Sequence, residues 1–280
     1  MSADPATLRF LANLLEQHSG QQMAESRLWR VETALKPLLR DRGLASLAEL
    51  VTALIGRRDE RLAGLVVEAL LNNETSFFRD RAVFELLATD GLERMRARRA
   101  DERRLTIWCA GCSTGQEAYS LAIQFAEARA RWDGWRIDLL ATDISRAAIT
   151  QARDGLFSQF EIQRGLPVGQ MLRWFEQDGA HWRVRRELAG RIRFRQHNLL
   201  DPTPFAGKAD VILCRNLLLY FAAERRRAAF GRLHAAITCD GLLMLGAGET
   251  VVGQTDAFVS DPEIRGLYRP STLQVATRAA

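Results

Sequence analysis

Apolar positions over the first 72 residues recur at spacings of three and four. Leu8, Leu11, Leu14 and Leu15 set one helical period, and Leu28, Val31, Leu35, Leu38 and Leu39 a second. Leu47, Leu50, Val51 and Leu54 set a third, and Leu62, Leu65, Val66, Ala69 and Leu70 a fourth. Gly20, Gly43 and Gly56 stand where helices should stop. Pro37 is expected to kink or interrupt the second helix. Residues 1–72 therefore read as an all-helical N-terminal domain. Thr75 or Ser76 then reads as the cap of a helix through Val83, Phe84, Leu86 and Leu87. Beyond it, short apolar runs over 105–109, 137–143, 192–195, 210–214 and 242–245 predict strands. Helical stretches follow most of them, including 146–154 and 223–237, and Asp240-Gly241 reads as a turn. Residues from about 157 to 195 break the alternation, with Asp178-Gly179 as a turn signal, and predict a small inserted β-subdomain containing a hairpin. Residues 250–280 should supply a last antiparallel pair. The expected fold class is α/β: a Rossmann-like, mostly parallel open sheet over 73–280, with an inserted β-subdomain, preceded by the all-α domain.

The chemistry concentrates where the first strand ends. Ile107-Trp108-Cys109-Ala110-Gly111-Cys112-Ser113-Thr114-Gly115-Gln116-Glu117 runs from strand through glycine turn into helix. Glycines let backbone approach a ligand, and helix-start N–H groups face whatever lies above the strand. Gly111-Cys112-Ser113-Thr114-Gly115 also fits the nucleophile elbow of hydrolases. That reading needs a downstream acid and then a histidine, yet none of His181, His197 and His234 ends a strand near the C-terminus. A phosphate-binding loop is excluded, because Gln116 stands where its lysine would be. A Rossmann-like cofactor loop with a serine as its middle glycine remains. Asp143 ends the next strand, 28 residues after Gly115, a little beyond the ~20 at which an acid receives ribose hydroxyls. Its alternative role is to cap the following helix, which Ser145 could do alone.

Composition narrows the classes. At 47% hydrophobic and 26% charged, the 280 residues are those of an ordinary globular chain rather than a disordered one. The net charge of +5 comes almost entirely from arginine and without a basic–aromatic stripe, which gives no nucleic-acid footprint. Arg27, Arg30, Lys36, Arg40 and Arg42 outnumber Glu32 and Asp41 locally, either as a solvated face or as a docking surface for an acidic partner. Cys109 and Cys112 form a C-x-x-C without a second pair, so buried thiols are expected rather than a metal site. No apolar run approaches a membrane span and no signal pattern opens the chain, so a cytoplasmic protein is expected. The Asn73-Glu74-Thr75 sequon has no meaning in that compartment. By spacing alone, Phe77 and Phe78 are apolar anchors and Arg79 a solvated charge.

Together the motifs resemble the chemotaxis receptor methyltransferases, the CheR family, which methylate receptor glutamates with S-adenosyl-L-methionine. The matching blocks are Asn73-Glu74-Thr75-Ser76-Phe77-Phe78-Arg79, residues 110–120, Ala141-Thr142-Asp143-Ile144, and Cys214-Arg215-Asn216 through Tyr220-Phe221. They come in family order and span nearly the whole chain. The first block is the most specific, since ordinary methyltransferases lack it. The resemblance implies that Asn73, Thr75 and Arg79 lie over the cofactor, with Arg79 near the sulfonium and the incoming carboxylate. It places Ala110, Gly111, Ser113 and Gly115 beside the methionine part and Glu117 at its amino group. Asp143 would take the ribose hydroxyls, Asn198 and Leu199 the adenine, and Arg215 with Asn216 the substrate side. Tyr220 would close the pocket by the transferred methyl. Arg79 and Tyr220 are the implied catalytic residues, and the positively charged Arg27, Arg30, Lys36 and Arg40 are the candidate receptor-docking set. The partner would be the cytoplasmic part of a methyl-accepting chemoreceptor, the enzyme a monomer, and the product S-adenosyl-L-homocysteine.

Three departures stand out. Gln116 and Ala118 replace the acid and proline common around Glu117, Gly246-Ala247-Gly248-Glu249 lacks a frequent histidine, and the hairpin near Gln177–Ala180 is short. Members with a longer hairpin bind a receptor's C-terminal tether peptide there, so a tether-independent enzyme is expected. Two other readings remain: a methyltransferase with a different acceptor, and a cofactor-binding regulatory module without turnover.

Overall fold

The computed structural model describes residues 4–57 and 59–271. These form two compact units. One holds the described residues up to Asn72 together with Tyr220–Arg225, the other Asn73–Leu219 and the described residues from Arg226 on.

In the first unit, four helices follow the predicted periods: α1 (Pro5–Ser19), α2 (Trp29–Arg42), α3 (Leu47–Arg57) and α4 (Glu60–Leu70). Leu11, Leu15, Val31, Leu35, Leu50, Leu62 and Val66 are all buried, so the apolar stripes pack on one another. Asp4 and Asp59 cap α1 and α4 through their carboxylates. Pro37 lies inside α2, which runs through it without interruption. Its missing N–H would face the carbonyl of Thr33, and both residues are exposed, so water can serve that carbonyl. Gly20 and Gly43 end their helices, but Gly56 lies inside the last turn of α3 and stops nothing.

The second unit opens with the 73–80 turn and then α5 (Arg81–Leu86), a π-turn at Leu87–Gly91 and α6 (Leu92–Arg98). The residue at the start of α5 is Asp80, not Thr75 or Ser76, which lie in the irregular turn before it. Then come β1 (Arg104–Ala110), α7 (Gln116–Glu127), β2 (Arg136–Asp143) and α8 (Arg146–Asp154). The insertion holds β3 (Leu156–Ser158), α9 (Gln159–Gln163), α10 (Val168–Trp174), β4 (Phe175–Asp178), β5 (His181–Val184) and α11 (Arg186–Ala189). The chain returns through β6 (Ile192–Gln196), β7 (Ala209–Cys214), α12 (Ala223–Ala236), β8 (Ile237–Leu245), β9 (Phe258–Ser260) and β10 (Leu267–Pro270).

The main sheet has the order β6-β2-β1-β7-β8-β10-β9. Its first five strands are parallel, and β10 and β9 are antiparallel additions at one edge. Near-continuous burial of β1, β2 and β7 follows from helices covering a parallel sheet. The expected last antiparallel pair is present within the described residues, and 272–280 lie outside them. Asp240-Gly241 is not a turn. The strand β8 runs through it with a register irregularity opposite Ala209 and Val211. A Cβ on Gly241 would come within 2.8 Å of the Asp210 carbonyl oxygen, the close approach that a bulge needs. Arg99 clamps this bulge by donating to Asp210 and Asp240, and its hydrogen bonds lower the Asp240 carboxyl to about 2.

The insertion is a three-stranded sheet, β3-β5-β4, rather than a lone hairpin. Its third strand directly follows Gly155, where no alternation marks a strand of three residues. The β4–β5 turn is the two residues Gly179-Ala180. Phe157 and Phe175 from this sheet meet Phe77 edge-on at 5.1 and 5.5 Å. Just behind, the Phe77 N–H donates to the Arg164 carbonyl at 3.1 Å. Gly165 sits at φ +83°, and a Cβ there would fall 2.0 Å from the Phe77 carbonyl oxygen. Only glycine allows that approach. Gly165→Ala should therefore lose about 2 kcal/mol or more of stability. In a thermal melt that corresponds to a fall of roughly 4–8 °C.

Candidate active site

Because five strands run parallel, the loops after β1, β2, β6, β7 and β8 all leave the same edge of the sheet. A ligand crevice belongs outside the carboxyl ends of such strands. The β1 loop is laced to the end of β2: Gly111 and Cys112 donate N–H bonds to the Thr142 carbonyl at 2.8 and 2.9 Å. Ser113 N–H donates to Asp143 Oδ2 at 2.8 Å, and Ser145 N–H to Asp143 Oδ1 at 2.9 Å. Asp143 thus organises two loops at once, while Ser145 caps α8 through its hydroxyl. The β6 loop joins the same point, with His197 N–H donating to the Asp143 carbonyl. Asn198 accepts from Leu200 N–H, Leu199 is buried behind it, and Ala110 is buried at the end of β1. Burial lowers the His197 pKa, so this histidine is neutral at pH 7.

The 73–80 turn is pinned across this edge. Ser113 Oγ donates to the Asn73 carbonyl at 2.7 Å, and Asn73 Nδ2 donates to Ser145 Oγ at 3.4 Å. Phe78 N–H donates to Ser120 Oγ at 3.0 Å. Phe77 and Phe78 are buried anchors, as their spacing suggested, and Thr75 is half-buried. Phe78 and Asp80, on either side of Arg79, have φ of 46° and 53°. Ser113 and Asn216 are also left-handed, at 50° and 56°. Four such residues in these loops represent stored backbone strain, of the kind that collects where geometry is set for a ligand.

The charges are ordered. Arg215, expected to face a substrate, is instead buried at 2% side-chain exposure. Its guanidinium donates to Asp80 at 2.8 Å, to Glu117 at 3.0 Å and to the Arg79 carbonyl at 2.7 Å, and lies over the Phe84 ring. The reason is compensation: three acceptors from two other segments surround a site closed to water. Burial raises the Glu117 pKa, and Arg215 opposes that rise. Arg79 is partly exposed and donates to the Glu74 carboxylate at 3.1 Å. Burial pushes the Cys109, Cys112 and Cys214 thiols up, so they are inert thiols, while Cys239 is exposed.

One further acid shapes this edge. Glu249, after β8, accepts four main-chain N–H groups: Gly246 and Asn216 on one oxygen, Leu217 and Leu219 on the other, at 2.7–3.1 Å. It sets the path of the loop carrying Asn216. That loop presses close to the glycine turn, since a Cβ on Gly111 (φ +81°) would lie 2.7 Å from Leu217 Cδ2. An acid just past the glycines of a strand end could have hinted at this. Tyr220 groups with the helical unit, where its hydroxyl accepts from Asn72 Nδ2 at 2.6 Å and its carbonyl from Gln22 N–H. Arg27, Arg30, Lys36 and Arg40 are all exposed.

The donor set suits S-adenosylmethionine. Its ammonium and sulfonium cations call for acceptors such as the Glu117 carboxylate, and its ribose hydroxyls for an acid like Asp143. The parallel sheet, glycine turn and second-strand acid define the class: a Rossmann-like, S-adenosylmethionine-dependent methyltransferase. Residues 73–263 match the family described as CheR methyltransferase, SAM binding domain. The chain is 33% identical to the chemotaxis protein methyltransferase of Vibrio parahaemolyticus, over 89% of this chain and 91% of that one. It is 34% identical to chemotaxis protein methyltransferase 1 of Pseudomonas aeruginosa, over 92% and 95%. Chemotaxis protein methyltransferase 2 of the same organism is 35% identical, over 84% and 82%. The chain belongs to the CheR methyltransferase family.

Removing the Glu249 carboxylate should misplace the Asn216 loop. Glu249→Ala should lower kcat/KM for methyl transfer about 10²-fold, the scale of an ångström-sized misplacement. Glu249→Gln, which keeps one acceptor oxygen, should fall between it and wild type in steady-state kinetics.

Proposed function

We propose that this enzyme transfers the methyl group of S-adenosyl-L-methionine to glutamate side chains in the cytoplasmic part of chemoreceptors, forming glutamyl methyl esters. The observation that carries this reading is Arg79, which sits on a strained, pinned turn at the ligand edge and already holds a glutamate carboxylate, that of Glu74. The names of the relatives, chemotaxis protein methyltransferases, support the same setting.

Bound S-adenosylmethionine supplies a sulfonium-activated methyl group for in-line displacement. Asp143 would hold the ribose hydroxyls, Asn198 and Leu199 would flank the adenine, and Glu117 would take the amino group. Asn73, Thr75 and the 110–115 loop would border the methionine part, and Arg215 keeps Glu117 and the Arg79 turn in register. Asn216 lines the acceptor side. A glutamate carboxylate is ionised at neutral pH, so no general base is needed. Arg79 aligns that carboxylate and excludes wrong poses, a task that can supply several kcal/mol of rate acceleration. Too tight a grip would blunt the nucleophile, so Arg79 and Tyr220 position rather than activate. The Tyr220 assignment comes from the motif resemblance.

Docking falls to the helical unit. On α2, Trp29, Lys36 and Arg40 are spaced seven and four apart and share one face, with Trp29 69% exposed. An aromatic flanked by cations suits an acidic helical partner. Arg27 and Arg30 extend the positive charge. The two-residue Gly179-Ala180 hairpin supports a receptor recognised without a tether peptide. No helix among the described residues is long and apolar enough to cross a membrane.

The reading is tested by transfer of labelled methyl to a receptor's cytoplasmic fragment, followed by mild alkali. Release of the label as methanol is expected, and alkali-stable label would overturn it. In that assay Arg79→Ala should lower kcat by about 10²-fold. If turnover stayed intact while only cofactor affinity fell, the positioning role would be wrong. Cofactor affinity should also depend on pH. Burial raises the Glu117 pKa, so its ionised form is lost earlier than usual as pH falls. Affinity measured by calorimetry should therefore drop on acidification while ordinary carboxylates are still charged, and Arg215→Met should move that drop to higher pH.

A further inference from the structure

Glu74 is gripped from two sides. Arg79 donates to its Oε2 at 3.1 Å, and Arg164, 90 residues further along, donates to its Oε1 at 2.5 Å. One carboxylate thus bridges two guanidiniums, the first on the 73–80 turn and the second at the end of α9 in the insertion. All three side chains remain open to solvent, at 31%, 47% and 39% exposure for Arg79, Glu74 and Arg164. Ion pairs this exposed contribute little to stability. The segments that carry the two arginines are held by other contacts, and Arg79 also donates to the Glu74 carbonyl at 3.2 Å. Arg164 is set by its own backbone, through its carbonyl bond from Phe77 N–H and the contact of Gly165 with Phe77. The turn carrying Arg79 is set by Asp80, Ser120 and Asn73. The two guanidiniums therefore converge on one carboxylate from segments fixed elsewhere in the fold, and their spacing fits one carboxylate.

We propose that Arg164 is a second arginine of the acceptor site, and that Glu74 occupies the Arg79–Arg164 fork until the substrate glutamate displaces it. This rests on the glutamate-methylating reading above. Phe160, 70% exposed with Arg164 stacked on its ring at 5.7 Å, offers the neighbouring apolar surface on which an acceptor helix can lie. In this arrangement free glutamate is disfavoured as an acceptor. The internal carboxylate of Glu74 competes at high effective concentration, and only a glutamate delivered by a docked protein competes on equal terms. The hydrogen bond from Arg164 is the largest cause lowering the Glu74 pKa, so this competitor stays charged further into acid than an ordinary glutamate.

The test is labelled-methyl transfer by the full-length enzyme to a receptor cytoplasmic fragment. Wild type, Arg164→Ala, Arg164→Lys and Glu74→Gln are compared, with cofactor Kd and melting temperature read alongside. Arg164→Ala should raise the receptor KM about tenfold, the scale of one charge-assisted hydrogen bond, with cofactor Kd unchanged. Arg164→Lys should recover part of that loss, which a merely structural role would not predict if both variants melt like wild type. Glu74→Gln should lower the receptor KM and allow esterification of a short glutamyl peptide that wild type leaves untouched. If wild type esterifies the receptor but neither Arg164 variant changes its KM, the second arginine is wrong while the function stands. If wild type forms no alkali-labile ester, the functional reading falls and takes this inference with it. Should Arg164→Ala melt early, Arg164→Lys decides: a receptor KM equal to wild type overturns the proposal.

Discussion

A single buried cation holds the catalytic edge together. The Arg215 guanidinium, almost wholly removed from water, ties Asp80 and the Arg79 carbonyl of the 73–80 turn to Glu117 at the head of α7. Taking such a charge out of water is costly, and it is tolerated only because two carboxylates and a carbonyl surround it. Each partner in turn depends on it, since Glu117 and Asp80 would otherwise be acids in or beside an apolar core. The strained residues Phe78 and Asp80 keep their left-handed conformations because this network and the buried phenylalanines leave the turn no other path.

From that point the other contacts extend outward in order. Asp143 fastens the glycine loop to the start of α8, the Ser113 hydroxyl fastens the same loop to Asn73, and Glu249 gathers four N–H groups to shape the loop after β7. Acids that accept main-chain N–H bonds recur throughout. They are a rigid way to hold irregular backbone, since a carboxylate can accept several donors at once. A reaction that needs alignment more than acid–base chemistry is served by such a scaffold. Nothing in it has to change protonation during the methyl transfer, and the buried thiols and neutral His197 stay outside the chemistry.

The insertion acquires a purpose in this setting. Its three strands stack Phe157 and Phe175 on Phe77, and its Gly165 touches the same residue through the backbone. The added subdomain is thereby packed onto the 73–80 turn. Arg164 is carried to the ligand edge as a consequence.

Local features wrote much of this fold into the sequence. The four helical periods, the buried parallel strands, the turn before His181 and the Ser145 cap all arise from side chains within a few residues of one another. The glycine loop and Asp143 were readable for the same reason, since a strand, a turn and a helix start are neighbours in sequence. Where reading failed, the deciding partner was distant. Asp240-Gly241 became strand because Arg99 and Asp210 lie against it. Thr75 and Ser76 looked like caps until the turn around them was pinned by residues 40 positions away. Arg215 looked like a substrate contact because nothing local reveals that Asp80 and Glu117, 135 and 98 residues earlier, converge on it. Periodicity and propensity act over one or two turns of chain. Charge compensation and main-chain satisfaction in the interior are settled only when the sheet brings those segments together.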